Sequence, residues 1–431
     1  MKNTPHRLGL RRKGPALAAV ALAATLGAGF LTGCSTDDGG DIVTLDFFQF
    51  KGEALEDFNL IIEEFEAENP DIKIVQNQVA DADTAFRNLL VKDRTPDVIT
   101  LNAGQSLGGL IRADVFYDFS GDPIVDTINP AVQDIINDLG EIPGQVSALG
   151  YVNNADGIIY NRAIFEEQGL EVPTTWDELI EVCEELEAAG ITPFYGTLAD
   201  DWTVLPSFNG IGAYAAQDGF FDELREEGAS LSPDSPVSFS KNFLPVLEKQ
   251  LELYSYAQDG YRGRTYDDGN AAFANGEAAM LMQGIWALSP VKAVNPDIDA
   301  AIFPYPTDDP DDRLIVSGVD VAVMIGKDTP HLEESLRFVN FLFQPEIIER
   351  FAASQNMIPS VIGAELSDDP AIQSVAPFFE DEMITGFIDH QFPPSIPLSL
   401  TIQSAIFDGD PVPALKTLDN EWRKVAARTV E

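Results

Sequence analysis

Few side chains in this sequence combine the type and the spacing that covalent chemistry needs. Its 431 residues include three histidines, two cysteines and four tryptophans. His6 falls in a basic N-terminal stretch, and His331 and His390 stand alone. No His-x-x-x-His and no Gly-x-x-x-x-Gly-Lys-Ser/Thr pattern occurs, so zinc-protease and P-loop chemistry are not expected, and neither is a hydrolase nucleophile elbow. Carboxylates are the exception. A glycosidase needs only two of them, and the chain holds 71 Asp plus Glu. The acidic run Asp308-Asp-Pro-Asp-Asp312 lacks the Gly and Glu of a calcium loop and reads as a solvated turn. No metal site and no cofactor are expected. What remains is chemistry of recognition. Tryptophan rings offer flat apolar faces, and Asp, Asn and Gln offer paired donors and acceptors. Together they suit a ligand that is apolar on one face and rich in hydroxyls at its edge.

These side chains must be positioned by a folded body, and the composition allows one. Hydrophobic residues make up 45% and aromatics 10%, as in ordinary globular proteins, despite a net charge of −45. That charge excludes nucleic-acid binding through a basic surface. The length suggests two or three domains at about 150 residues each. The charge is also unevenly placed. Residues 1–33 hold Lys2, Arg7, Arg11, Arg12 and Lys13 and no acidic residue, so the remaining body is at −50. A surface this acidic is compatible with a salty habitat.

The basic stretch is followed by an uncharged apolar run over 16–30, too short for a comfortable membrane span of about 20 residues and suited to a signal peptide. Leu31-Thr32-Gly33-Cys34 then resembles the bacterial lipobox. The resemblance implies a signal peptide over 1–33, lipid on Cys34, a tether over 34–41 and an extracytoplasmic protein held at the cell membrane. Cys183 is left without a partner and is expected in the core of a helix that begins at Trp176. That helix carries a Thr175/Glu178 capping-box pattern.

The body reads as alternating strands and helices: strand 44–50, helix 53–68, strand 72–79, helix 85–92 and strand 97–101. A second set follows, with strand 157–160, helices 162–168 and 176–189, and a strand at 193–196. A helix over 271–280 is expected next, with 279–282 continuing into a strand, then one strand over 315–325, helices 331–342 and 346–353, and a final helix over 413–428. This order indicates an α/β structure with a mostly parallel sheet in each of two lobes.

Several segments, in order, resemble family 1 extracellular solute-binding proteins of ABC importers, the group that contains maltodextrin-binding protein. They are Phe47-Phe48-Gln49-Phe50, Asn69-Pro70, Thr95-Pro96-Asp97-Val98, Ile159-Tyr160-Asn161, Pro173-Thr-Thr-Trp-Asp-Glu-Leu179, Ala272-Phe-Ala-Asn-Gly-Glu-Ala-Ala-Met280 with Gly284-Ile-Trp286, and Phe338-Val-Asn-Phe-Leu342. The resemblance implies a two-lobed periplasmic-binding-protein (Venus-flytrap) fold with ligand in the cleft between the lobes. Lobe one would be 42–152 plus 318–368, and lobe two 153–317 plus 369–431. It also implies a monomer that binds a carbohydrate and meets ABC permease subunits in the membrane. A secreted glycosidase and a sugar-binding partner of a sensor remain as alternatives.

Nine residues are candidates for ligand contact. By the resemblance, Trp286 and Trp202 stack on sugar and Asn154 makes a polar contact. Asp200 and Asp201 precede Trp202 and would accept hydroxyl protons, and Gln283 stands beside Trp286. Gln49 and Asn102 end strands whose C-terminal ends face the crevice of an open α/β sheet. Asp320 lies between Val319 and Val321 on a strand, where a carboxylate is costly without a partner; ligand or a hinge contact would supply one. The maltodextrin-binding pattern of charged and aromatic contacts is not matched at Leu101 or Gly104. The cleft therefore suits a mono- or disaccharide.

Overall fold

The computed structural model describes residues 42–79, 82–217 and 219–429. The signal peptide expected over 1–33, the tether over 34–41 and the lipidation of Cys34 lie outside the described residues.

The strands, in chain order, are β1 (Val43–Gln49), β2 (Ile72–Gln78), β3 (Val98–Leu101), β4 (Leu149–Asn153), β5 (Asp156–Asn161), β6 (Thr192–Phe194), β7 (Ala278–Gly284), β8 (Ala300–Phe303), β9 (Ile315–Val316), β10 (Val319–Ile325), β11 (Ile358–Pro359) and β12 (Ile384–Thr385). They form two sheets. The first runs β11-β4-β10-β3-β1-β2 and the second β12-β9-β5-β7-β6, with β8 also paired to β5. Helices flank both sheets, so the molecule is the two-lobed α/β fold that the element order suggested.

Neither sheet is mostly parallel. β1 pairs in parallel with β2 and β3, but β10 runs antiparallel to both β3 and β4. In the second sheet β5 is antiparallel to β7, β8 and β9. The local strand–helix–strand pattern predicts the first three strands correctly. It cannot anticipate β10, which enters the first sheet from the second after some 160 intervening residues.

Burial follows the sequence periodicity closely where helices cover a sheet. The helix Leu55–Glu68 buries Phe58, Ile61, Ile62 and Phe65, spaced by three and four. The Phe47 ring on β1 meets Phe58 at 5.2 Å and Phe338 at 5.4 Å between centroids. A second core gathers Phe208, Phe239, Phe243, Phe392 and Trp422. Trp176 donates from Nε1 to Glu252 at 2.8 Å, so Trp176 and Trp422 are packing residues. The Thr175/Glu178 capping box is present, and Cys183 is fully buried on the same helix.

Two boundaries differ from expectation. Instead of a helix over 271–280, a helix spans Tyr266–Ala274 and β7 starts at Ala278, because Gly276 takes φ +75° and turns the chain between them. Instead of one strand over 315–325, β9 and β10 lie in different sheets, separated by Ser317 and Gly318. Asn154 and Ala155 similarly separate β4 from β5. The two crossings are clasped together. Asn154 N donates to Gly318 O at 3.0 Å, Gly318 N donates to Asn154 Oδ1 at 2.9 Å, and Ser317 Oγ donates to Asn154 O at 2.8 Å.

Candidate functional site

Beside this clasp is a cavity of about 190 Å³. Asn102 reaches it from the end of β3 in the first sheet, and Asn154 from the crossing. All other lining residues come from segments associated with the second sheet: Trp202, Leu205, Pro206, Asn209, Trp286, Phe387, Asp389 and His390. Four of the nine candidates therefore meet in one place.

Trp286 follows β7 on the short turn Ile285–Ala287. Its Nε1 donates to Gln283 Oε1 at 3.0 Å, and its ring lies 6.2 Å from Phe387. The ring can lie back over the strand only because residue 284 has no side chain. A Cβ there would stand 2.1 Å from the Trp286 ring and 2.4 Å from Ala155 O. Gly318 does the same for Phe387, since a Cβ would stand 2.6 Å from that ring. Two glycines beside the crossings thus make room for two aromatic rings at the cavity.

Trp202 lies on the turn Asp201–Val204, is 39% exposed, and rests on the Tyr266 ring at 4.9 Å. Thr203 Oγ1 donates to Thr197 O at 2.9 Å and to Asp200 O at 2.8 Å, which fixes the turn. An exposed indole braced from behind is poised for stacking, because its outer face costs little further ordering on contact.

The other five candidates do not line this cavity, and each is committed elsewhere. Gln49 is buried and donates from Nε2 to Gln76 Oε1 at 2.9 Å. Asp200 Oδ2 accepts from Tyr266 N at 2.7 Å, at the positive end of the helix Tyr266–Ala274. Asp201 accepts from the Ser399 hydroxyl. Gln283 is buried and orients the Trp286 indole. Asp320 pairs with Lys51 Nζ at 2.8 Å, and its backbone oxygen accepts from Asn102 Nδ2 at 3.1 Å. Burial alone would lower the Lys51 pKa, but Asp320 and Glu53 outweigh it and hold the ammonium above its usual range. The carboxylate that strand burial makes costly has found a lysine.

Leu205, Pro206, Asn209, Phe387, Asp389 and His390 are the cavity residues that sequence reasoning passed over. Asn209 Oδ1 accepts from Asp389 N at 3.0 Å across 180 residues, and β12, just before Phe387, pairs with β9. Nothing local in Gly386-Phe-Ile-Asp-His390 announces that placement.

The expectation that no hydrolase-elbow pattern occurs also needs correction. Gly104-Gln105-Ser106-Leu107-Gly108 has the Gly-x-Ser-x-Gly form, follows β3 and forms the start of a helix. Its geometry is not that of an elbow. Ser106 is an ordinary residue of the helix Gln105–Arg112 and has no positive φ, whereas a nucleophile elbow is a sharp strained turn. Ser106 Oγ accepts from Arg87 Nη2 at 3.2 Å rather than standing against a base.

The fold is that of a two-lobed α/β protein, with this cavity beside the crossings between its two sheets. The family described as bacterial extracellular solute-binding protein matches residues 52–348, and the chain belongs to it. The multiple sugar-binding protein of Streptococcus mutans is 28% identical over 317 residues, covering 72% of this chain and 73% of that one. The sn-glycerol-3-phosphate-binding periplasmic protein UgpB of Escherichia coli is 24% identical over 334 residues, covering 71% of each chain. Among solved structures, apo RafE from Streptococcus pneumoniae superposes with a TM-score of 0.80 at 24% identity, covering 90% of this chain and 99% of that one. RafE in complex with raffinose gives a TM-score of 0.72 at 24% identity, covering 89% and 100%. Membership of an extracellular family assigns the chain a working place outside the cytoplasm. Among the described residues, no helix is long and apolar enough to cross a membrane.

Proposed function

We propose that the protein captures a carbohydrate at the cavity between its lobes and hands it to the permease of an ABC importer, without chemical change. The lobes would be 42–152 plus 318–368 and 153–317 plus 369–431, hinged at the clasped crossings. Trp286 and Trp202 would stack on sugar faces, while Asn102, Asn154, Asp389 and His390 would meet hydroxyls. The observation that carries this reading is the lining itself: two tryptophans, three asparagines and an aspartate, with no lysine or arginine among them. The two curated relatives, named for sugars and for a glycerol phosphate, make different demands. A phosphate group calls for cationic or helix-end donors; the lining touches the start of the helix Leu205–Ala215 but holds no lysine or arginine, and its aspartate is a poor partner for an anion. Sugar is therefore the better fit.

A thermal-shift screen tests this directly. A ligand bound only by the folded state raises the melting temperature by mass action. Mono- and oligosaccharides are expected to raise it and sn-glycerol-3-phosphate to leave it unchanged. A flat response to every sugar, with a shift from the phosphate, would sink the assignment. Incubation with oligosaccharides should release no reducing ends; their appearance would revive the glycosidase alternative.

The chain would work as a monomer tethered by lipid on Cys34. With a body at −50, attraction of a basic patch to anionic lipid is not a credible anchor. Replacing Cys34 by serine should move the protein from the membrane fraction to the soluble one.

A further inference from the structure

Behind the cavity lies a group of polar atoms that no protein partner satisfies. Asp156 opens β5, opposite Gly284 on β7 and Val316 on β9. It is 1% exposed, and among the described residues neither of its carboxyl oxygens has a well-formed hydrogen-bond partner. The hydroxyl of buried Tyr305 is unpartnered too, as is Oδ1 of Asp389. Asp389 has a second aspect, since it also lines the cavity. The helix Leu205–Ala215 packs on both β5 and the turn Ile388–Gln391, and so brings the two aspartates into one neighbourhood. Tyr305 is pressed against that helix, where a Cβ at Gly210 would stand 2.0 Å from its ring.

Asp389, on the turn next to His390, faces Asp156, and Tyr305, beyond β8, neighbours both Asp156 and Tyr254 of the helix Leu244–Ser255, while Tyr214 of the helix Leu205–Ala215 donates to Tyr305 O. Strands β7, β8 and β9 contain no titratable residue. None of these neighbours is a lysine or arginine. An ionised carboxylate here would lose its water and gain no fixed cation, with only the neighbouring Gly157 N–H to favour it, whereas the neutral acid loses far less. Burial first, and the Asp389 carboxylate second, push the Asp156 pKa well above the usual carboxylate range.

We propose that Asp156 is a neutral carboxylic acid in the folded protein. Asp156 is then a positioning residue. Carrying no charge of its own, it leaves the Asp389 carboxyl at the cavity wall as an acceptor for a ligand hydroxyl. That final role rests on the sugar reading of the cavity; the proton on Asp156 does not.

The test uses ligand-free protein. An unfolded aspartate titrates near about 3.9, while folded Asp156 keeps its proton to higher pH. The stability this group contributes is complete below the unfolded value and is lost as pH rises toward the folded one. Thermal melts of wild type and Asp156→Asn should therefore diverge from about pH 4 upward, with the variant gaining, and run parallel again beyond the folded value. Infrared spectra at neutral pH should show a protonated-carboxyl C=O band in wild type that is missing from Asp156→Asn. In Asp389→Asn, which removes the neighbouring charge, the band should disappear at lower pH than in wild type. Parallel melting profiles with identical infrared spectra would overturn the proposal. Should Asp156→Asn not fold, absence of the band from wild type at neutral pH would overturn it alone. If the band is present while no sugar binds, the proton stands and the sugar reading fails.

Discussion

The cavity is built unequally from the two halves of the molecule. The first sheet sends it one exposed carboxamide, Asn102, whose amide is already donated to the backbone of Asp320. The segments of the second sheet send two indoles, a phenylalanine, an aspartate and a histidine. Aromatic area supplies most of the contact energy in such a site, and nearly all of it is on one side. A ligand is thus expected to bind to the second-sheet side first and to be covered by the other on closure. The asymmetry also explains the two glycines. Gly284 and Gly318 make room for rings that belong to the second side, and both stand beside the crossings, where the chain is already constrained.

Four substitutions rank the two sides. Trp286→Ala should have the largest effect, a loss of about 2–3 kcal/mol or roughly 30–150-fold in sugar affinity, measured by titration calorimetry. An unchanged dissociation constant would remove Trp286 from the site. Trp202→Ala should cost about tenfold, since the ring is partly exposed and shares its contact with solvent. Asn102→Ala is expected to cost only about 1 kcal/mol, roughly fivefold. If Asn102→Ala weakened binding more than Trp286→Ala, the comparison between the sides would be reversed. Asp201→Asn should leave affinity within about twofold, because its carboxylate is held by Ser399. A large loss there would mean that the Asp201–Ser399 contact opens toward the ligand.

The residues legible in the sequence were those whose type and local setting agree. Trp202 and Trp286 follow recognisable strand ends, and the helices show their buried faces by spacing. By sequence alone the acidic pair before Trp202 suits a set of hydroxyl acceptors. Its nearer use is structural, as Asp200 binds a backbone N–H of the helix it precedes in space. The segment holding Phe387, Asp389 and His390 was not legible at all. It has no periodic pattern, and it reaches the cavity only through partners about 70 and 180 residues away along the chain. The division of 315–325 between two sheets was hidden for a similar reason. Val, Ser and Gly continue a strand-like run, and only the clasp with Asn154 shows that the chain changes sheets there.

Cys183 has a practical consequence. It is fully buried beside acidic side chains, and burial first, with those charges second, pushes its thiol up, away from the reactive thiolate. In a soluble form that starts after Cys34, it would be silent to maleimide reagents. One new cysteine on each side of the cavity would then be the only addressable pair, with no background mutation needed. A dye on each would report the separation of the two halves, molecule by molecule, as sugar is added.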